Sequence, residues 1–182
     1  MTDIPTGKNT HVPQADGAPA SATGAGSPKA ASAEPPVTHT YEASVTWSGD
    51  GTGCGHAHVA KGTFAVPIGG AKETGGCGIG ANSEEMLLAA VGTCWVATWA
   101  IFLKKLGVPH PDPQIRLTTE LGPDPAGGFR LTKMRIFARV PAAILASDRA
   151  AIDKTVKLAE KYCIISKVAK AAMPVEVEIE AV

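Results

Sequence analysis

The chain lacks an excess of charge of either sign. Its 182 residues include 17 basic and 17 acidic side chains, so its formal net charge at neutral pH is zero. Proteins that bind nucleic acid or an anionic membrane surface usually present a concentration of positive charge. We therefore predict partners of other kinds, with neither nucleic acid nor a membrane among them.

Arginine and cysteine are both scarce. No arginine precedes Arg116, so lysine is the only permanently cationic side chain in the first half of the chain. The four cysteines include no Cys-x-x-Cys pair, which disfavours a zinc site built from paired thiolates. Cys54, His56 and His58 do stand close together, but no second cluster completes a set of four ligands. We predict no metal site.

Large apolar residues are almost absent from residues 1–37, which consist mainly of Ala, Pro, Gly, Ser and Thr. Such a segment cannot bury enough surface to offset the entropy lost on ordering it, so we predict a disordered tail at 1–37 and a folded domain at 38–182. The tail also lacks the basic start and apolar stretch of a secretory signal, which favours a cytoplasmic protein. In that compartment a disulfide is normally transient.

Two stretches of the folded part alternate between apolar and polar side chains, as half-buried strands do. They are Thr40–Ser48 and His56–Val66, and a glycine-rich loop separates them. A second glycine-rich segment, Pro67–Ala81, is predicted to form neither a helix nor a regular strand, because repeated glycine disfavours both.

The strongest local signal predicts a helix over Ser83–Leu106. Asn82 is a suitable N-cap, and Glu85 stands where a capping box requires an acid or amide. Gly107 and Pro109 end the segment. Its interior is almost continuously apolar, which indicates a buried central helix at the core or at a subunit interface.

The remaining residues are predicted to form a hairpin, two helices and a last strand. The hairpin strands are Gln114–Leu121 and Phe129–Val140, separated by a turn. Ser147 caps a helix that runs to Lys161, and Cys163 opens a second, short helix. The last strand is Val175–Ala181. The resulting order, β-β-α-β-β-α-α-β, is that of an α+β domain rather than a doubly wound parallel sheet.

Two cysteines in these helical segments are the leading candidates for chemistry. Cys94 lies within GANSEEMLLAAVGTCWVATWAIFL, and Cys163 lies within EKYCIISKVAK. Because neither has metal-ligand spacing around it, the pattern favours thiol chemistry between residues distant in sequence.

These segments resemble a known family. The run GIGANSEEMLLAAVGTC, the segment AEKYCIISKVAK and the order of elements around them are similar to the osmotically inducible protein C / organic hydroperoxide resistance (OsmC/Ohr) family. The similarity covers about residues 41–182.

The resemblance extends to individual positions. The family's helix opens with an Asn-Pro-Glu-like element and carries a reactive cysteine ten residues after the acid. Asn82, Ser83, Glu84 and Cys94 occupy those positions here, with Ser83 where proline is usual. The family's second cysteine matches Cys163.

The resemblance implies a thiol peroxidase that reduces organic hydroperoxides as part of an oxidative stress response. It implies an intimate homodimer with an active site at each end of the subunit interface. Cys94 would attack the peroxide and become a sulfenic acid, and Cys163 would condense with it to a disulfide. An external dithiol, of the lipoyl type in parts of the family, would reduce the pair, and no organic cofactor is required.

Glu84 is a further catalytic candidate. Ten residues of helix rise about 15 Å, so Glu84 cannot reach Cys94 of its own helix, and a neighbouring subunit would supply it. The alternative is that Glu84 only complements the positive N-terminus of the helix.

The arginine with which family peroxidases lower the pKa of the reactive thiol is missing from the expected loop, where Gly51 stands near its place. Lys72 or Lys61 could supply a cation instead, and Lys72, just before the central helix, is the better placed. The absence of the arginine leaves an alternative function open, that of an OsmC-fold redox sensor or binding protein with weak peroxidase activity.

Cys54 and Cys77 lie in the two glycine-rich loops. The favoured interpretation is that both are free thiols without a role. An auxiliary redox role is the alternative.

Overall fold

The computed structural model describes residues 38–59, 65–110 and 112–182. The predicted tail at 1–37 and the candidate Lys61 lie outside these residues. Residues 40–182 form one compact unit. Within its described residues, two separate three-stranded sheets and three α-helices make up the regular structure, which confirms the α+β class.

The first sheet is antiparallel throughout. Its strands pair in chain order, and they are β1 (Ala43–Ser48), β2 (Cys54–Val59) and β3 (Ala65–Gly69). A short 3₁₀ turn, Lys72–Thr74, follows β3.

β3 differs from the sequence prediction, which placed residues 67–81 in an irregular loop. Its Pro67 pairs with His56 of β2, and Ile68 pairs with Gly55. Pro67 has no N–H to donate, but β3 is an edge strand, where a missing donor is tolerated. Three strands therefore precede the central helix, one more than predicted.

The central helix, α1 (Ser83–Lys105), begins and ends within one residue of its predicted bounds. The capping box is present. The Glu85 amide donates to Asn82 Oδ1 at 2.7 Å, and the Asn82 amide donates to Glu85 Oε2 at 3.1 Å. These two bonds satisfy amides that a helix N-terminus otherwise leaves without partners.

The second sheet and the last two helices complete the domain. Their bounds are β4 (Gln114–Pro123), β5 (Phe129–Val140), α2 (Ala142–Tyr162), α3 (Ile164–Ala172) and β6 (Val175–Ala181). The sheet order is β4-β5-β6, in which β4 is antiparallel and β6 parallel to β5. The parallel pairing is possible because α2 and α3 carry the chain back between β5 and β6.

The start of α2 also differs from its prediction. The helix begins at Ala142, just after Pro141, and Ser147 lies inside it. Ser147 Oγ donates back to the carbonyls of Ala143 and Ile144 at 3.3 Å instead of capping. The backbone of Asp148 is non-helical (φ −131°, ψ 27°), so two helical segments meet at a kink there, and the second segment begins close to the predicted start at Ser147.

The core lies between one face of α1, the helices α2 and α3, and the inner face of the second sheet. Trp95 and Trp99 of α1 are fully buried and lie 5.4 Å apart, centroid to centroid. Trp99 Nε1 donates to Thr155 Oγ1 of α2 at 3.0 Å. On the sheet, Ile136 faces this core, while its neighbour Arg135 pairs with carboxylates on the outer face.

One face of α1 is left uncovered by the residues that the structure describes. Ile101 is 52% exposed, although the helix packs against α2, α3 and β4 on its other side. By length and composition α1 could cross a membrane, but a single helix of this kind is weak evidence, since core helices of folded domains share these properties.

Candidate functional site

The fold brings Cys94 and Cys163 together. Cys94 lies in the middle of α1 and is half-buried, whereas Cys163 lies between α2 and α3 and is fully buried. Both thiols are free, and they are close enough to hydrogen-bond to each other. The two cysteines predicted as a pair are therefore neighbours in the fold.

Local hydrogen bonds fix the position of Cys163. Its amide donates to the Ala159 carbonyl at 2.9 Å, which ends α2. Its sulfur accepts from the Ser166 amide at 3.4 Å, so Cys163 is also the N-cap of α3. The Ser166 hydroxyl donates to the Cys163 carbonyl at 3.1 Å. The buried thiol is thus held at the junction of two helices.

The N-terminus of α3 faces the Cys94 sulfur. Burial raises the pKa of the Cys94 thiol, but hydrogen bonds from the backbone amides of Ile165 and Ile164 and from the Cys163 thiol oppose it. Their sum places the pKa of Cys94 below its ordinary value. Amides in the first turn of a helix have no helical acceptor and carry its positive partial charge, so they favour a thiolate.

Cys163 has the opposite tendency. Burial raises its pKa most, and its proximity to Cys94 adds to this, although hydrogen bonds from Ser166 oppose both effects. The result is a pKa above the ordinary value. The Cys94 thiol is therefore the more readily ionised of the two, which is the division of roles that a nucleophile and a resolving thiol require.

Lys72 and Glu84, the other candidates among the described residues, contact groups outside this pair. In the described part of the chain, the main groups that shift the pKa of Cys94 include no lysine. Lys72 belongs to the 3₁₀ turn, and its side chain lies against Gly78. Glu84 lies in the first turn of α1 and accepts from Ser83 Oγ at 3.0 Å. The roles assigned to Lys72 and Glu84 therefore stay predictions.

Cys54 and Cys77 correct the sequence analysis. They are bonded to each other as a disulfide with a Cα–Cα distance of 6.2 Å, so the interpretation as free thiols is wrong. The bond forms because β3 pairs with β2 and carries the following loop back to the start of β2. The spacing of 23 residues in sequence gives no signal of that proximity.

Cys54, His56 and His58 do not form a metal site with other described residues. His56 and His58 have ring centroids 6.3 Å apart, and the sulfur of Cys54 is committed to the disulfide. Among the residues that the structure describes, no group of three or more His, Cys, Asp or Glu side chains is arranged to hold a metal ion.

Comparison with known families decides the classification. Residues 74–178, which include both Cys94 and Cys163, match the family described as OsmC-like protein. The chain belongs to the OsmC-like family. Within curated proteins, this OsmC-like chain is 29% identical over 150 residues to the uncharacterized protein YmaD of Bacillus subtilis, covering 77% of the chain and 93% of YmaD.

Solved structures show the same fold. An organic hydroperoxide resistance protein OsmC from Legionella pneumophila matches with a TM-score of 0.65 at 18% identity, covering 80% of this chain and 99% of that one. The organic hydroperoxide resistance protein OhrB of Bacillus subtilis matches with a TM-score of 0.56 at 22% identity, covering 76% and 98%. At these identities the likeness establishes the OsmC-like fold.

Sequence reasoning missed the amides of Ile164 and Ile165 as groups that lower the pKa of Cys94 in this OsmC-like protein. It sought a cation for Cys94, whereas the structure supplies the N-terminus of a helix. A signal was present, because the sequence predicted that a helix opens at Cys163. The first amides of any helix lack helical acceptors, and such groups bind anions.

Replacing Ile164 by proline is expected to raise the pKa of Cys94 by roughly half a unit to one unit, because it removes one amide donor to a partly exposed thiolate. Proline suits the first helical position, and Cys163 before it already has the extended backbone that proline favours (φ −63°, ψ 114°). The measurement is the pH dependence of Cys94 alkylation, whose rise should move to higher pH.

Ile164→Val is the matched control, since it keeps the amide and a similar exposed side chain. Its alkylation profile should coincide with that of the unaltered protein. Equal profiles for the proline and valine variants would show that this amide does not stabilise the thiolate.

Proposed function

We propose that this protein is a cysteine-dependent thiol peroxidase that reduces organic hydroperoxides, with Cys94 as the nucleophile and Cys163 as the resolving thiol. The observation that carries the proposal is the pairing of a thiol whose pKa is lowered with one whose pKa is raised, in hydrogen-bonding reach. Relatives named organic hydroperoxide resistance proteins support the choice of substrate.

The proposed reaction has three balanced steps. The Cys94 thiolate attacks one oxygen of the hydroperoxide, the O–O bond breaks, and the alkoxide leaves and takes up a proton to become the alcohol. The Cys163 thiol then attacks the Cys94 sulfenic acid, which forms the Cys94–Cys163 disulfide and releases water. Finally, an external dithiol of the lipoyl type reduces this disulfide by two thiol–disulfide exchanges and leaves as its own disulfide.

An apolar cavity near Glu84 is lined by neither Cys94 nor Cys163, so it would hold the organic part of a substrate only in the proposed dimer, beside the partner's Cys94. It has a volume of about 370 Å³ and lies between the first sheet and the start of α1, where Trp47, Ile68 and Met86 contribute to its walls. Ser83, the neighbour of Glu84, also lines it. A cavity with such walls favours a molecule with a hydrocarbon portion over hydrogen peroxide.

The proposal includes a homodimer in which Glu84 of one subunit approaches the Cys94 site of the other. Two exposed apolar surfaces support the proposal of a dimer. They are the uncovered face of α1, with Ile101, and the exposed side chains of Val45 (62%) and Trp47 (45%) on β1. Apolar exposure on this scale is typical of interaction sites. We also propose a cytoplasmic location.

The second candidate function is that of a redox sensor. The absence of any arginine before Arg116 favours it, because the family's usual means of activating the thiol is missing. The lowered pKa of Cys94 favours the peroxidase, because the helix amides would then take over the arginine's task.

Steady-state kinetics separates the two functions. With an organic hydroperoxide in excess and dihydrolipoamide as donor, a peroxidase consumes many equivalents of peroxide per subunit. A sensor would consume one equivalent and then stop even though the donor is present. That second result would remove the enzyme proposal and retain the sensor.

A further inference from the structure

The Cys54–Cys77 disulfide lies outside the proposed peroxidase site and holds a glycine-rich loop in place. Cys54 is the first residue of β2, and Cys77 lies between the 3₁₀ turn and α1. The two sulfurs pack over Gly69 of β3, where a Cβ atom would collide with Cys77 Sγ. The bond therefore ties the loop at residues 70–81 to the first sheet.

This loop leads directly to the N-terminus of α1. Backbone hydrogen bonds join Gly78 to Gly70 at 3.0 Å and Ala81 to Pro67 at 3.0 Å. Gly78 and Gly80 adopt positive φ values of 63° and 73°. Glycine gains more backbone conformational entropy than other residues when a loop is freed, so opening the disulfide would favour a mobile loop. Because the next residues are the N-cap Asn82 and then Glu84, whatever holds the loop also holds the start of α1.

An external thiol can reach the bond. Both cysteines are partly exposed, and Cys54 lines an open cavity of about 280 Å³ together with Trp47, His56, Pro67 and Ile79. The accessible position contrasts with that of Cys163, which is fully buried. Exposed disulfides are those that thiol–disulfide exchange opens most readily.

We propose that Cys54–Cys77 is a second redox couple, separate from Cys94 and Cys163, and that its reduction loosens residues 70–86 and so lowers the activity of the site to which Glu84 contributes. The effect on activity rests on the proposed peroxidase function. The effect on the loop does not.

The chemistry of the switch requires only a dithiol of the class already proposed as electron donor. One donor thiolate attacks a sulfur of Cys54 or Cys77, which breaks the S–S bond and forms a mixed disulfide with the donor. The donor's second thiol displaces the protein thiol and leaves as a cyclic disulfide. Two electrons and two protons pass to Cys54 and Cys77, and the oxidised donor reverses the reaction.

Hydrogen exchange tests the proposal directly. In a Cys94→Ser/Cys163→Ser variant, dithiothreitol can act only on Cys54 and Cys77. Amides within residues 70–86 should exchange roughly tenfold faster after reduction, because they gain access to local opening, while those of β5 should keep their rates. The unaltered protein, treated in the same way, should show the same change at 70–86. This comparison shows whether a folding defect in the variant causes the faster exchange.

Cys54→Ser/Cys77→Ser is the matched control. It should exchange at the fast rate without dithiothreitol and should not respond to it, and in a peroxidase assay it should turn over at the rate that the unaltered protein shows once Cys54–Cys77 is reduced. The proposal is overturned if Cys54 and Cys77 alkylate as free thiols in the unreduced protein, or if reduction leaves exchange at 70–86 unchanged. Because exchange needs no peroxidase activity, a failure of the proposed function leaves this test intact.

Discussion

Replacing Cys163 by serine is expected to limit the fast consumption of hydroperoxide to one equivalent per subunit. The Cys94 thiolate still forms, since the α3 amides remain, and it still opens the O–O bond. Without the Cys163 thiol, no protein thiol is placed to form a disulfide with the sulfenic acid, and only the slower direct attack of the external dithiol can continue the cycle. Rapid-mixing measurements of peroxide consumption should show a burst of one equivalent followed by a slower phase.

Two further variants serve as controls for the Cys163→Ser result. Cys94→Ser should remove the burst as well, because the hydroxyl is not a comparable nucleophile at neutral pH. Cys54→Ser/Cys77→Ser should keep repeated turnover, because that pair lies outside the cycle. Continued turnover by Cys163→Ser at the rate of the unaltered protein would show that another thiol resolves the sulfenic acid.

Mixing two inactive proteins is expected to restore activity if Glu84 acts across the subunit interface. Cys94→Ser lacks the nucleophile, and Glu84→Gln is expected to lose most of its rate because it lacks the carboxylate. In a mixed dimer, one site combines the intact Cys94 of one chain with the intact Glu84 of the other. Random exchange of subunits makes half of the dimers mixed, with one of two sites intact, so recovery of roughly a quarter of full activity is expected.

The peroxidase rate is measured after the subunits have been exchanged in mild denaturant and the denaturant has been removed. Each variant treated alone provides the control. No recovery from a mixture shown by mass spectrometry to contain mixed dimers would place Glu84 outside the partner's site. A monomer with full activity would exclude the shared site altogether.

Local signals were enough to predict α1. Asn82, Glu85 and Gly107 specify its ends through bonds within one turn, and those bonds depend on no distant residue. Cys94 and Cys163 were paired through the family resemblance, and the structure brings them together because α2 carries the chain back to α1. The periodicity of the helices alone does not place one thiol beside the other.

Features created by pairing between segments were not predictable in the same way. β3 forms because β2 offers it a partner, although its own sequence contains Pro67. The Cys54–Cys77 bond follows from that pairing, so an error in the strand led to an error in the thiols. The effect of α3 on the pKa of Cys94 was missed for a different reason. Every residue except proline carries a backbone N–H, so the side-chain sequence does not show which amides lie near Cys94.

Disulfide mapping after a single oxidation tests the central claim most directly. The reduced protein receives one equivalent of an organic hydroperoxide, free thiols are blocked at low pH, and the peptides are separated under non-reducing conditions. The account predicts a Cys94–Cys163 link within one subunit as the main product. A main product that links Cys94 to Cys54 or Cys77, or that leaves Cys163 fully alkylated while Cys94 is oxidised, would contradict it.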